Sequence, residues 1–182
     1  MRQPLPYKAI RADMGERMLC ILANTFYIFG DRDELDAEEI RDRLQNDAFY
    51  RQTGDLMPAL FLLREGDFQL HAIGRTNIIA RLGNWFGAAA VSWFTTCLKE
   101  QPRYPVVKDV ETFLHEGWVV MAVMVERYSF GRIMPVSPVL IAGQEHPVVY
   151  NPATGEITPF DSSNFAKQWE IHLGIVAARP RQ

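Results

Sequence analysis

Thiols and imidazoles are the side chains of this chain with the clearest chemical potential. A thiolate beside an imidazole base is the pair that cysteine peptidases and acyltransferases use. The chain has two cysteines, Cys20 and Cys97, and four histidines. Cys20 lies in an apolar run that predicts the inside of a helix, and a cysteine in such a run is usually buried and inert. One candidate active site nevertheless combines Cys20 with His71 or His146.

The acidic and glycine-containing stretches do not predict a metal or phosphate site. The sequence has no His-Glu-x-x-His pattern, no paired cysteine spacing and no glycine-rich phosphate loop. Asp31 to Asp36 has the alternating acids of a calcium loop but lacks its glycine and terminal glutamate. Acidic residues at the N-terminus of a helix are the simpler interpretation. We therefore expect no cofactor and no metal.

An apolar hairpin must position the polar residues at its open end. Two β-forming runs, 139–142 and 148–150, flank the turn cluster 143–147, which is the pattern of a β-hairpin. Asn151 then begins a tight turn that ends at Gly155, since Pro152 presets φ and glycine tolerates positive φ. The start of one antiparallel strand lies beside the end of its partner. We therefore expect Ser137 and Asn151 to lie close together.

This hairpin and the turn after it resemble those of papain-like cysteine peptidases. In that family a strand, a turn and a second strand are followed by Asp-Pro-x-x-Gly, and a histidine begins the first strand. The most similar branch contains the bacterial peptidases that cut leader peptides after a double glycine. In that family the histidine is the general base and the aspartate orients it. The resemblance places these two roles at Ser137 and Asn151. A serine at the histidine position implies that the base has been lost.

The first predicted helix resembles the helix that carries the nucleophilic cysteine in leader peptidases. It runs from Asp13 or Gly15 to Phe29, and the dipole at such an N-terminus stabilises a thiolate. Alignment from either end of the helix places the family's nucleophile on a residue other than cysteine: Met14, Arg17 or Met18. Methionine cannot ionise, so the resemblance implies a catalytically inactive domain.

A weaker similarity links the chain to the peptidases that process autophagy-related ubiquitin-like proteins, another papain-like branch. Gly83-Asn-Trp-Phe-Gly87 resembles the Trp-Phe-Gly that precedes a helix in that branch. Asp13-Met-Gly-Glu-Arg-Met18 stands where the branch has Asp-x-Gly-x-x-Cys, and Asn151-Pro-Ala153 stands where it has Asp-Pro-His. Both branches therefore place substitutions at the catalytic positions.

The order of the predicted elements gives an α+β fold. After the first helix we expect further helices at 34–44, 53–64, 88–99 and 108–116, and strands at 68–73, 118–125, 157–160 and 173–178 in addition to the hairpin. The resemblance implies a single papain-like domain over 1–182, in which a helical N-terminal half packs on a C-terminal antiparallel β-sheet.

Length and charge restrict the classes of partner. A chain of 182 residues is long enough for one domain with a sizeable core. Its net charge of −3 gives no basic face for nucleic acid. Its apolar runs fall short of the roughly 18 residues that a membrane span needs. Two cysteines suit a reducing compartment. We expect a cytoplasmic protein that binds neither nucleic acid nor membrane, with its oligomeric state left open.

Three functions follow from these residues. The first is an inactive papain-like domain that binds a peptide or protein segment in a cleft between the helices and the sheet, lined by Met14, Arg17, Met18, Trp85, Ser137 and Asn151. The second is an active cysteine-dependent peptidase or acyltransferase with a relocated site at Cys20. The third is a structural subunit of a larger assembly. The first is the interpretation that we adopt.

Overall fold

The computed structural model describes residues 17–29, 68–74, 98–126, 137–163 and 169–181. These residues form two helices of at least two turns and seven strands: α1 (Arg17–Phe29), β1 (Phe68–Gly74), β2 (Leu98–Gln101), α2 (Val107–His115), β3 (Val119–Glu126), β4 (Ser137–Ala142), β5 (Val148–Asn151), β6 (Glu156–Pro159) and β7 (Trp169–Pro180). Within this part of the chain, no helix is both long enough and apolar enough to cross a bilayer.

The seven strands form one sheet in the order β2-β1-β7-β3-β4-β5-β6. The β1–β2 pair is parallel and the other pairs are antiparallel. The protein therefore has an α+β arrangement around a mixed sheet. Parallel neighbours need a long crossover, and residues 75–97 provide the length for one.

The sequence prediction of the fold needs correction in two respects. The sheet is not purely antiparallel, because β2 runs parallel to β1. A helical N-terminal half is not supported either, since β1 and β2 lie in the first 101 residues and α1 is the helix described there. The helix expected over 88–99 is wrong at its end, where Leu98 and Lys99 belong to β2. The helices expected at 34–44 and 53–64 lie outside the described residues.

Strand β3 lies inside the sheet, between β7 and β4, as its nearly continuous apolar sequence predicts. Its alternate residues are buried on opposite faces. Val120 and Ala122 join one core with Val110, Phe113 and Leu114 of α2, together with Ile73, Trp118, Val139, Ile141, Ile175 and Ala177. Helix α2 therefore covers this face, which we call the α2 face.

Helix α1 lies against the opposite face. Its Phe29 ring makes an edge-on contact with Phe68, with 5.7 Å between ring centroids. Phe68 is three residues before His71, whose ring contacts Phe113 of α2, and side chains three apart on a strand lie on opposite faces. Asn24 and Thr25 are buried in α1. They are satisfied by donating to the carbonyls one turn earlier, over 2.7 and 2.8 Å.

The sequence predicted the two turns of the β4–β5–β6 meander correctly. Residues 143–147 connect β4 to β5, with Gly143 at φ +108°. Gly155 closes the second turn at φ +76°, and its N–H donates to the Asn151 carbonyl over 2.8 Å. Glycine is the residue that adopts such positive φ without strain.

Strand β7 crosses β1 at a pair of glycines. Gly74 pairs with Gly174, and Gly174 has φ +152°. The register between β3 and β7 shifts between Ala122 and Met124, so that three residues of β7, 172–174, lie opposite the single residue Val123 of β3. A Cβ atom on Gly174 would lie 2.6 Å from the Ile73 carbonyl oxygen and 2.9 Å from the Gly74 Cα. The bulge therefore requires glycine here.

Replacement of Gly174 by alanine should lower the free energy of unfolding by about 2 kcal/mol or more, from backbone strain and a clash that only a backbone shift relieves. Equilibrium urea denaturation measures the change. Thr158→Ala, on the exposed strand β6, is the control and should change stability by less than about 0.5 kcal/mol. Equal effects of the two substitutions would contradict the requirement for glycine.

Candidate functional site

The predicted cleft residues are only partly within the described residues. Met14 and Trp85 lie outside them. Arg17 and Met18 are the first two residues of α1. Ser137 begins β4 and Asn151 ends β5. The positions of Met14 and Trp85 therefore stay a prediction.

Ser137 and Asn151 lie on neighbouring antiparallel strands, as the hairpin pattern predicted. Leu140 pairs with Tyr150 in the β4–β5 register, so one further step brings Asn151 beside Val139, two residues after Ser137. Val149 and Asn151 are two residues apart on β5, so their side chains lie on the same face of the sheet. Val149 packs against the core on the α2 face. Asn151 therefore belongs to the α2 face, opposite the face that α1 covers.

The Asn151 carboxamide stabilises the turn that follows it. Its Oδ1 accepts a hydrogen bond from the Ala153 N–H at 3.0 Å, which is an Asx-turn. The Asn151 main-chain carbonyl accepts from the Thr154 and Gly155 N–H groups at 3.2 and 2.8 Å. These bonds, together with Pro152, account for the Asn-Pro-x-x-Gly pattern as a hairpin turn. The pattern does not require an orienting role toward a catalytic histidine.

The alternative thiol site is divided by the sheet. Cys20 is buried, with 4% of its surface exposed, as the apolar run predicted. Cys20 belongs to α1 on one face, whereas His71 contacts Phe113 on the α2 face. His146 lies in the exposed turn between β4 and β5. This arrangement disfavours a thiolate–imidazole pair between Cys20 and His71, because the two groups would have to meet through the sheet.

A polar cluster that the sequence did not predict surrounds His71 on the α2 face. We call it the His71 cluster: His71, Gln101, Arg103 and Asp109. His71 Nε2 lies 3.3 Å from Gln101 Nε2, and Gln101 Oε1 accepts from Arg103 Nε at 3.1 Å. Arg103 then binds Asp109 through two parallel hydrogen bonds of 2.7 and 2.5 Å. The chain of contacts joins β1, the end of β2 and the start of α2.

The Arg103–Asp109 pair fixes the loop that leads into α2. Asp109 is the third residue of the helix and its carboxylate also accepts from the Val106 N–H at 2.8 Å. Arg103 Nη1 donates to the Tyr104 carbonyl at 3.1 Å. Hydrogen bonding to Arg103, together with the Val106 N–H, holds the pKa of Asp109 below its usual value, against the opposing effect of burial. An acid at this position beside free helix N–H groups is a recognisable cap in sequence. Its arginine partner is not recognisable, because only the loop geometry brings Arg103 back to it.

Aromatic rings form the inner wall of the cluster. The His71 ring meets Phe113 edge-on at 5.1 Å between centroids, and Trp118 lies 6.3 Å from it. Arg179 covers the Trp118 ring at 4.3 Å from its centroid, and its guanidinium donates to Gln69 Oε1 at 3.3 Å. Trp118 Nε1 donates to Glu116 at 3.2 Å. His71 is thus half-buried between an apolar wall and a charged rim.

The electrostatics of the cluster favour a neutral His71. Burial lowers the pKa of His71 most, and the Lys99 and Arg103 charges lower it further, while Glu116 and Asp109 oppose the shift. A neutral imidazole can accept a proton or a hydrogen bond. No third histidine, cysteine or acid completes a metal site with it among the described residues.

Comparison with known proteins adds no family assignment. No protein-family model matches the chain, and no curated protein is similar enough to count as a relative. The papain-like resemblance therefore depends on the residues quoted above and stays a prediction.

Asp109→Asn should lower the free energy of unfolding by about 1–2 kcal/mol at neutral pH, because it removes the charge that Arg103 and the Val106 N–H bind. Since the folded state lowers the pKa of Asp109, the carboxylate stabilises the fold above its usual pKa. That stabilisation is lost as pH falls through the folded pKa. The difference between wild type and variant should therefore shrink below about pH 4.

Urea denaturation from pH 7 down to pH 3 measures this difference. Glu111→Gln, an exposed acid on the same helix, is the matched control and should change stability by less than about 0.5 kcal/mol. A gap between wild type and Asp109→Asn that does not change with pH would show that the lost carboxylate charge is not the cause.

Proposed function

We propose that this chain is a non-catalytic, papain-like binding domain that holds an extended peptide or protein segment without thiol chemistry. The observation that carries the proposal is the position of Cys20. This thiol is buried in α1, and the sheet lies between it and the half-buried His71. Cysteine proteolysis needs a thiolate within hydrogen-bond reach of a base, and the geometry does not bring these two groups together.

The polar residues at the resembled catalytic positions support binding rather than turnover. Asn151 uses its carboxamide oxygen to cap a turn, so its hydrogen bonding is local. Ser137 begins β4, two residues before the Val139 that lies beside Asn151, and serine lacks the basicity that the family's histidine provides. A cleft is a property of the fold and can persist when the catalytic residues are replaced.

The segment would bind in extended form against the sheet and the N-terminal turn of α1, as the peptidase resemblance implies. The lining residues that we propose there are Met14, Arg17, Met18 and Trp85. The hairpin residues of the predicted cleft, Ser137 and Asn151, are not proposed to line it, because Asn151 belongs to the opposite face of the sheet. Extended segments bind through main-chain hydrogen bonds, with side-chain pockets for specificity. Modest affinity is expected, because ordering such a segment opposes binding. A structural subunit of a larger assembly is the competing proposal.

Native Cys20 should react with iodoacetamide far more slowly at neutral pH than it does in unfolded protein, because a buried thiol is neither exposed nor activated. Mass spectrometry of the peptide that contains Cys20 gives the rate separately from Cys97.

The purified protein should also show no peptidase, amidase or acyltransferase turnover, and Met18→Cys with Ser137→His should not create it, since catalytic groups need a supporting shell. Rapid labelling of Cys20, or turnover that Cys20→Ala abolishes, would establish the enzyme instead.

Binding should depend on the proposed cleft. Arg17→Glu with Trp85→Ala should weaken capture of an endogenous partner from native lysate by about tenfold, the loss of roughly 1.4 kcal/mol. The matched control is Lys108→Glu with Tyr104→Ala, the same kinds of change at exposed positions 108 and 104, and it should bind as wild type does. Cross-linking then locates the captured segment, and a synthetic peptide of that segment gives the dissociation constant.

Two outcomes of this experiment oppose the proposal. A partner that wild type and the cleft variant capture equally would favour the assembly subunit. A partner lost only with the control variant would move the binding surface to the loop before α2. Circular dichroism of each variant establishes that the fold is retained.

A further inference from the structure

Hydrogen-bond donors and acceptors fix the orientation of the Gln101 side chain. Arg103 has only donors, because a guanidinium has no acceptor. Its Nε lies 3.1 Å from Gln101 Oε1, and its two terminal nitrogens bind Asp109. The amide oxygen of Gln101 must therefore face Arg103, and the amide nitrogen must face His71.

This orientation fixes the tautomer of His71. The Gln101 amide nitrogen lies 3.3 Å from His71 Nε2 and can only donate there. Nε2 must then be the unprotonated acceptor, and the ring proton must be on Nδ1. His71 is therefore neutral in the intact cluster. This assignment depends on two facts: the Gln101 amide has an acceptor at one end and a donor at the other, and Arg103 has donors only.

The charges that face His71 come from every element packed against it. Lys99 lies on β2, Arg103 precedes α2, and Asp109 and Glu116 lie at the two ends of α2. Arg179 of β7 lies over the Trp118 ring on the other side. Burial, Lys99 and Arg103 disfavour a positive charge on the imidazole, while Glu116 and Asp109 oppose them.

We propose that the His71 cluster is a proton-sensitive clamp between β1 and Arg103, in which neutral His71 accepts a hydrogen bond from Gln101 and protonation of His71 breaks the chain at Gln101. Asp109 keeps its bonds to Arg103 and to the Val106 N–H. Protonation places an N–H on Nε2, so that it faces the N–H groups of Gln101. Gln101 cannot turn its oxygen toward His71 without turning its nitrogen toward the Arg103 donor. Either response breaks one bond of the chain from β1 to Asp109.

The loop that contains Arg103 is exposed, with Tyr104 and Val106 56% and 54% exposed. Because folding lowers the pKa of His71, the clamp stabilises the fold above about pH 6.5. That contribution is lost as pH falls through the lower folded pKa. This inference is independent of the proposed cleft.

The test is nitrogen-15 NMR of the histidine side chains in the full chain, with His71 assigned by its absence in His71→Gln. We expect the Nδ1–H tautomer at pH 7.5 and a His71 titration midpoint below the usual histidine value of about 6.5. Gln101→Glu should raise the His71 midpoint above the wild-type value, because a carboxylate accepts from both the imidazolium and Arg103. An Nε2–H tautomer, or a midpoint that Gln101→Glu leaves unchanged, would overturn the proposal.

Hydrogen exchange of side-chain N–H groups tests the break at Gln101. The Gln101 side-chain amide donates to His71, and the Arg103 Nε–H donates to Gln101, so these two groups report the bonds that protonation can break. At least one of them should lose protection several-fold between pH 7.5 and a pH below the His71 midpoint. The Val106 amide, which donates to Asp109, is the internal control and should keep its protection. His71→Gln should remove the pH dependence, and constant protection of both groups across the His71 titration would refute the clamp, even if the tautomer is as expected.

Discussion

The pairing of β7 with both β1 and β3 holds the described sheet together. Strand β7 is the last strand in sequence, yet it lies between the β1–β2 pair and the β3–β6 meander. Without β7 these would be a two-stranded parallel ribbon and a separate four-stranded piece, and a two-stranded ribbon is marginal in water. The residues paired between β1 and β7 are 100 to 112 positions apart in the sequence, so closure of this pair is entropically demanding and is expected to come late in folding. The pairing of Gly74 with Gly174, neither of which has a Cβ atom, lets β7 approach β1 closely.

A sheet covered by helices on both faces also decides which polar groups can meet. Helix α1 and its buried Cys20 belong to one face, and His71 with α2 belongs to the other. Strand alternation assigns Asn151 to the α2 face as well. Cys20 and His71, which the sequence offered as a pair, are therefore on opposite sides of the sheet. In the same way, the Asn-Pro-x-x-Gly pattern that resembles a catalytic motif has a complete local explanation in the hydrogen bonds of a hairpin turn.

The polar groups of the α2 face form a connected structure rather than isolated ion pairs. A single exposed ion pair contributes little to stability, but Arg103 makes bonds to Gln101, Tyr104 and Asp109 at once. Asp109 in turn caps α2. The consequence is that Arg103, in the loop before α2, is linked through Gln101 to His71 of β1, whose pKa burial lowers. The hydrogen bonding of Arg103 and the protonation state of one histidine are thereby linked.

The sequence by itself determined the local features whose causes are local. The hairpin over Ser137–Asn151, the turn closed by Gly155, the helix expected over 108–116 and found at Val107–His115, and the buried state of Cys20 all follow from turn chemistry and apolar periodicity, which act within a few residues. The same patterns were insufficient at Leu98 and Lys99, where a helical periodicity ended in a strand because β1 provided a pairing edge. Nor did they predict the parallel β1–β2 pair, the insertion of β7 or the approach of Arg103 and Gln101 to His71. Those features depend on which strands are neighbours, and neighbours distant in sequence are chosen by the packing of the whole sheet rather than by the residues on either side.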